Sequence, residues 1–213
     1  MKKIKGYILL FILVALQGAA IALALKAAIG VAPWDALNQS VSDLSGIKVG
    51  TVIIILNGLL VVGQLFMVKK EFGLRHLLQM AVSLLMGSII NFTLYNIYTF
   101  EITSYLQSAI LFLIAIFFMA LIAGAVMALD IITFPVEAFC KELSKKIKPT
   151  FVQIRQGLDV FSIIFSLAIS LLFKEPFAVR EGTILAMLFF APVMGWAMNL
   201  TEEPLRKLGF KHD

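Results

Sequence analysis

Asp159 lies eight residues inside an apolar block running from Phe151 to Phe173. At about 1.5 Å per residue, a helix built on that block places it roughly 12 Å from the helix start. If the block crosses a membrane, a carboxylate at that depth costs about 2.5–3.5 kcal/mol and must face a partner or a polar cavity. Arg155 stands four residues earlier, at the spacing of a helical ion pair, and Gln153, Gln156 and Ser162 share the neighbourhood. Such a group suits binding of a small polar or charged solute, or of a coupling proton. Catalysis is poorly served. The chain has one cysteine, Cys140, and two histidines, His76 and His212, which both fall in charged stretches. No base and nucleophile pair meets at membrane depth and no carboxylate cluster reads as a metal site, so neither an enzyme nor a cofactor is expected.

A second polar residue mirrors the first. Shifting the sequence by 102 pairs Asn57 with Asp159, and the same shift pairs Pro33 with Pro135, Asp35 with Glu137 and Ala36 with Ala138. Asn57 lies equally deep in its own apolar block, with Gln64 further along it. A pseudo-two-fold axis would bring Asn57 and Asp159 to one central site, lined by Gln64, Gln153, Gln156 and Ser162.

The elements that must position these residues are membrane helices. Of 213 residues, 61% are hydrophobic and 15% charged, and the mean hydropathy of +0.97 lies far outside the soluble range. Apolar blocks run from about Tyr7 to Ile29, Val49 to Lys69, Leu74 to Ile97, Ser104 to Leu129, Phe151 to Phe173 and Gly182 to Leu200. Each approaches or exceeds the roughly 20 residues a span requires. The first follows Lys2, Lys3 and Lys5, but outruns a signal-peptide core of about 7–15 residues and is read as a retained span.

The net charge of +5 needs no nucleic-acid partner. With the N-terminus inside, 14 of the 18 Lys and Arg fall on the cytoplasmic side, and Lys26, Lys48, Lys174 and Arg180 fall outside. The positive-inside rule then puts both termini in the cytoplasm of a multi-pass protein of the cell membrane.

After the first span of each half, Pro33 and Pro135 suit the first turn of a short helix, and Asp35 and Glu137 then fall near its positive end. Trp34, Leu37, Val41 and Leu44 follow at helical steps, as do Val136, Phe139, Cys140, Leu143 and Ile147, giving each short helix an apolar face. Asp35 and Glu137 have two readings, caps of these helices or gates or substrate contacts at two mouths, and capping explains the spacing fully. Trp34 reads as an interfacial anchor. The expected fold is all-α: a single membrane domain over residues 1–213 made of two three-span repeats, about 7–99 and about 104–200, each with a short amphipathic helix after its first span. Three spans per repeat make the second repeat inverted, an arrangement that places solute sites near the membrane midplane.

The segment from Gly30 to Leu37, followed by Gly46 and Gly50, resembles the first-half signature of the YczE/YyaS/YitT family of bacterial integral membrane proteins. The stretch Arg180-Glu181-Gly182-Thr183-Ile184 with Ala191-Pro192 resembles the pattern opening that family's last span. The resemblance implies a bacterial inner-membrane protein of five or six spans and carries no substrate or reaction. Arg75-His76 depart from it where the family commonly has a Gly-Thr-like pair. The expected function is a permease working by alternating access around Asn57 and Asp159. The alternative is a substrate-binding subunit or a non-transporting helper of a larger complex, for which the small residues Ala15, Ala19, Ala20, Ala24 and Ala28 of the first span offer a docking stripe. A homodimer, or a partner subunit in the bilayer, is compatible with either.

Overall fold

In the computed structural model of the chain, residues 2–207 are described; Lys211 and His212 lie outside the described residues. Eight helices follow in order: α1 (Lys2–Ala27), α2 (Pro33–Ser45), α3 (Val49–Val68), α4 (Leu74–Phe92), α5 (Tyr105–Leu129), α6 (Pro135–Ser144), α7 (Phe151–Phe173) and α8 (Glu181–Lys207). No strand forms among the described residues. α4 continues through a wide π-type turn over Thr93–Ile97. Six helices, all but α2 and α6, are long and apolar enough to cross a membrane. The last is longer than its apolar block, continuing past Leu200 through Pro204, where Glu203 and Lys207 pair one turn apart at 2.9 Å.

α1 packs against α5 and α4, and α5 also packs along α8. The small residues of α1 serve this contact: Ala20, Ala22, Ala24 and Ala27 are all buried. α3 and α4 cross closely because Gly50 and Gly87 leave backbone against backbone, so a Cβ on Gly50 would strike the Gly87 carbonyl oxygen. Gly50→Leu is therefore expected to cost about 1–3 kcal/mol through overpacking, read as a lower thermal midpoint in detergent. The second half has no such crossing. Val152 stands 102 residues after Gly50, and α7 and α8 make no close backbone contact. α7 instead packs on α2 and α6, and α6 also packs on α3.

Helix limits recur at one offset. α1 and α5 end, α2 and α6 begin, and α3 and α7 begin 102 residues apart. Among the described residues, four non-glycine positions have positive φ, and they form two pairs: Ala28 (56°) with Asp130 (47°), and Lys69 (47°) with Lys174 (60°). Each follows the last residue of a long helix; Asp130 and Lys174 are left-handed residues that end the ladder, while Lys69, with ψ −105°, opens a 3-10 turn. An arginine meets the first pair. Arg180 Nη1 donates to the Ala28 carbonyl at 2.8 Å, and Arg75 Nη2 donates to the Asp130 carbonyl at 3.2 Å and carboxylate at 2.9 Å. Cations at helix C-termini satisfy carbonyls that have no partner within the helix.

Candidate functional site

α2 begins inside the bundle. Ala32 is extended (φ −57°, ψ 150°), Pro33 takes the first helical turn, where its missing N–H costs nothing, and Asp35 follows in that turn. The indole Nε1 of Trp34 donates to Asn57 Oδ1 at 3.2 Å, which fixes the start of α2 at the middle of α3. Trp34 is thus tied to mid-bundle and not to a helix end. From there α2 runs beside α7. Ser40 and Ser166 share a hydrogen bond at 2.7 Å, and the Ser166 hydroxyl also donates to the Ala36 carbonyl at 3.3 Å. The helix closes at Gly46, left-handed at φ 70°, whose N–H bonds the Ser42 carbonyl.

The face of α2 turned inward is partly polar: Asp35, Asn38, Ser40 and Ser42 are buried, while Leu44 is exposed. The sequence spacing shows an apolar face on this helix, of which Leu37 is buried, but not a buried polar one. The reason for the difference lies on α7, where Arg155, Asp159, Ser162, Ser166 and Ser170 form a polar stripe, its three serines buried. A polar stripe inside an apolar bundle is stabilised by another polar face.

α6 begins in the same way. Phe134 is extended (φ −59°, ψ 147°), Pro135 opens the helix and Glu137 sits in its first turn. The Glu137 carboxylate lies 3.7 Å from Arg155 Nε, and Arg155 Nη1 donates to Asp159 Oδ1. Asp35 completes the group, within electrostatic reach of Arg155, Glu137 and Asp159. Glu137, which the sequence places at a separate mouth or cap from Asp35, therefore reaches the arginine of α7 directly, and Asp35 lies within its electrostatic reach without an ion pair. Asn57 and Asp159 make no direct contact; Asn57 meets the first turn of α2 through Trp34, and Asp159 acts on Asp35 in that turn only electrostatically. The cluster is not sealed, for the Arg155, Asp159 and Glu137 side chains remain 23%, 19% and 17% exposed.

Other polar residues have local duties. Gln64 exchanges two hydrogen bonds with Gln79 of α4, at 2.9 and 3.3 Å, which satisfies a buried amide pair away from the cluster. Gln153 caps the start of α7 in a reciprocal box with Thr150. Gln156 is exposed, and Ser162, though buried, donates to its own helix at the Leu158 carbonyl. Asn91 clamps the start of α3 through the Gly50 N–H and Thr51 hydroxyl. His76 accepts the Gly73 N–H at the start of α4 and stacks on Phe72.

Burial pushes the Asp35 carboxyl up to about 7; Arg155 opposes the shift while Glu137 and Asp159 add to it. Burial likewise raises Glu137, against Arg155 and its own backbone N–H, and the Cys140 thiol rises to about 11 for the same first reason. With Asp35 raised from 3.8 to about 7, the folded state holds a proton that the unfolded chain has released. Stability supplied by that proton is present at low pH and is lost as pH rises through this window. Thermal midpoints measured across it are expected to fall less steeply in Asp35→Asn than in wild type.

The residue that sequence reasoning missed outright is Asn38. It is fully buried, its Nδ2 donates to the Trp34 carbonyl at 2.6 Å, and its Oδ1 has no partner. Its position one turn after Asp35 was the available signal. Among the described residues no three His, Cys, Asp or Glu side chains are placed to hold a metal ion.

No curated protein and no solved structure matches this chain. Residues 4–199 match the family of unknown function DUF6198. With all but its two ends inside that match, the chain belongs to the DUF6198 family, whose members share no established activity.

Proposed function

We propose that this protein is a permease of the cell membrane for a small polar or charged solute, built from two inverted repeats around a site at mid-depth. The observation that carries the reading is the pairing of Glu137 and Asp159 with Arg155, with the buried Asp35 within their electrostatic reach, inside a bundle apolar enough to span a membrane. Ionisable groups at that depth mark solute and ion pathways, and short helices beginning near the midplane are a recurring feature of secondary transporters. The repeat is supported by the helix limits at offset 102, the paired positive-φ residues after the helix ends and the two arginine clamps. Its polarity, with both termini in the cytoplasm, rests on the lysine and arginine distribution. The likeness of Gly30 to Leu37 to the YczE/YyaS/YitT signature fits the same picture of a bacterial inner-membrane protein.

A ligand screen by thermal stability tests the reading, with wild type and Asp159→Asn compared across a panel of metabolites. A specific binder raises the midpoint by mass action. Stabilisation of wild type that is lost in the variant is the expected outcome, whereas a binder that protects both equally removes Asp159 from the site.

A second reading, a solute-binding or regulatory subunit of a larger complex, draws on the α7 and α8 faces. Those helices leave each other without close contact and expose Phe161, Phe165, Met187 and Trp196. Co-purification of a stoichiometric membrane partner would favour it.

A further inference from the structure

The charge balance of the cluster identifies the class of solute. Three carboxylates and one guanidinium leave two negative charges when all are ionised. The N-termini of α2 and α6 start at this cluster, and each contributes at most about half a positive charge. About one negative charge remains uncompensated, in surroundings where an unpaired ion is costly.

The groups still without partners are acceptors. Arg155 is engaged by both Asp159 and Glu137. Asp35, only 8% exposed, has no hydrogen bond or ion pair among the described residues, and the charged groups acting on it are Arg155 and Asp159 from α7 and Glu137 from α6. From α3 the facing group is the neutral Asn57, held by Trp34. The second observation is Asn38. Its Nδ2 turns back to the Trp34 carbonyl in the first turn of α2, it stands three residues after Asp35 on the same side of the helix, and its buried Oδ1 has no partner. Trp34 stands beside Asp35 in the same turn, and an indole is the aromatic group that attracts cations best.

We propose that the first turn of α2 binds a small organic monocation, a protonated amine or a guanidinium, in exchange for one proton. The inference rests on the transport reading above and names its solute. As the cation enters, the proton on the Asp35 carboxyl leaves to water, so the charge of the site is unchanged and the exchange is electroneutral. With Asp35 ionised, an anion would double the imbalance and a neutral solute would leave it in place, whereas the cation replaces the charge that the proton otherwise supplies.

The test uses purified protein in detergent carrying Trp196→Phe, which leaves Trp34 as the sole indole of the two in the chain. The probes are millimolar guanidinium and tetramethylammonium chlorides against sodium chloride at equal ionic strength, on either side of pH about 7. The expected result is a saturable change in Trp34 emission and a raised thermal midpoint at the higher pH, with binding weaker by about tenfold or more at the lower pH. The response is expected to vanish in Asp35→Asn, weaken in Asn38→Ala and persist in Asp43→Asn, whose carboxylate lies on the exposed part of α2. Equal binding by Asp35→Asn, or the same affinity at both pH values, overturns the proposal. No response to either cation, with Asp159-dependent stabilisation by an anionic or neutral solute, overturns the solute class while the transport reading stands. No response to any solute takes both down.

Discussion

Arg155→Met is expected to destabilise the folded protein by about 2–3 kcal/mol, below the cost of breaking a fully buried ion pair because the group stays partly exposed. The arginine is the only cation in contact with Glu137 and Asp159 among the described residues, and it is the influence that lowers the Asp35 carboxyl against its burial. Methionine fills much of the same volume, so the loss measures charge and not a cavity. Without the guanidinium, Asp35 and Glu137 are raised further, so the folded form takes up protons that the unfolded chain does not hold. The variant is therefore expected to recover stability as pH falls. A second substitution, Glu137→Gln or Asp159→Asn, in the Arg155→Met background is expected to restore part of the loss at neutral pH. Thermal or denaturant unfolding of the four proteins in one detergent checks both points, and a double variant no more stable than Arg155→Met would mean the acids are not coupled through this residue.

The second large effect concerns motion. Alternating access requires contacts between the halves to remake, and the α2 to α7 contact joins them at the site. Ser40 Oγ and Ser166 Oγ are 2.7 Å apart, so cysteines at both positions are close enough for a disulfide. With Cys140→Ser removing the native thiol, Ser40→Cys with Ser166→Cys is expected to lose solute exchange almost completely on mild oxidation and regain it on reduction. Each single cysteine is expected to keep exchange under oxidation. Full activity in the oxidised double variant would show that α2 and α7 move as one body.

Much of the bundle was legible from residues. Uninterrupted apolar runs demand helices because only helices and closed barrels satisfy the backbone in lipid, and α7 begins and ends where the run from Phe151 to Phe173 does. The starts of α2 and α6 were legible because proline fits the first turn and little else inside a helix. The far end of α8 was not, since Thr201–Lys207 is polar and helical order there comes from side-chain pairs that hydropathy does not register.

The site was legible in its members and not in its geometry. Asp159, Arg155, Asp35 and Glu137 stood out individually, but capping alone accounted for the two first-turn acids, and nothing local shows that two helix starts meet. The serines at 162, 166 and 170 carried the missing information. A polar stripe at steps of four on an apolar span requires a polar partner face, and α2 is the short helix with one. Gln64 and Gln153 were misread for the opposite reason, because the partners that satisfy them, Gln79 and Thr150, are ordinary polar residues nearby.

A purely structural charge cluster and a transport site part company in proteoliposomes. With a pH gradient imposed and a dye reporting interior pH, guanidinium is added outside vesicles carrying wild type, Asp35→Asn or Glu137→Gln. Proton release coupled to guanidinium entry is expected in wild type, absent in Asp35→Asn and reduced in Glu137→Gln. Exchange in Asp35→Asn equal to wild type, or no exchange of guanidinium or any other solute by folded wild-type protein, would contradict a transport role for the cluster.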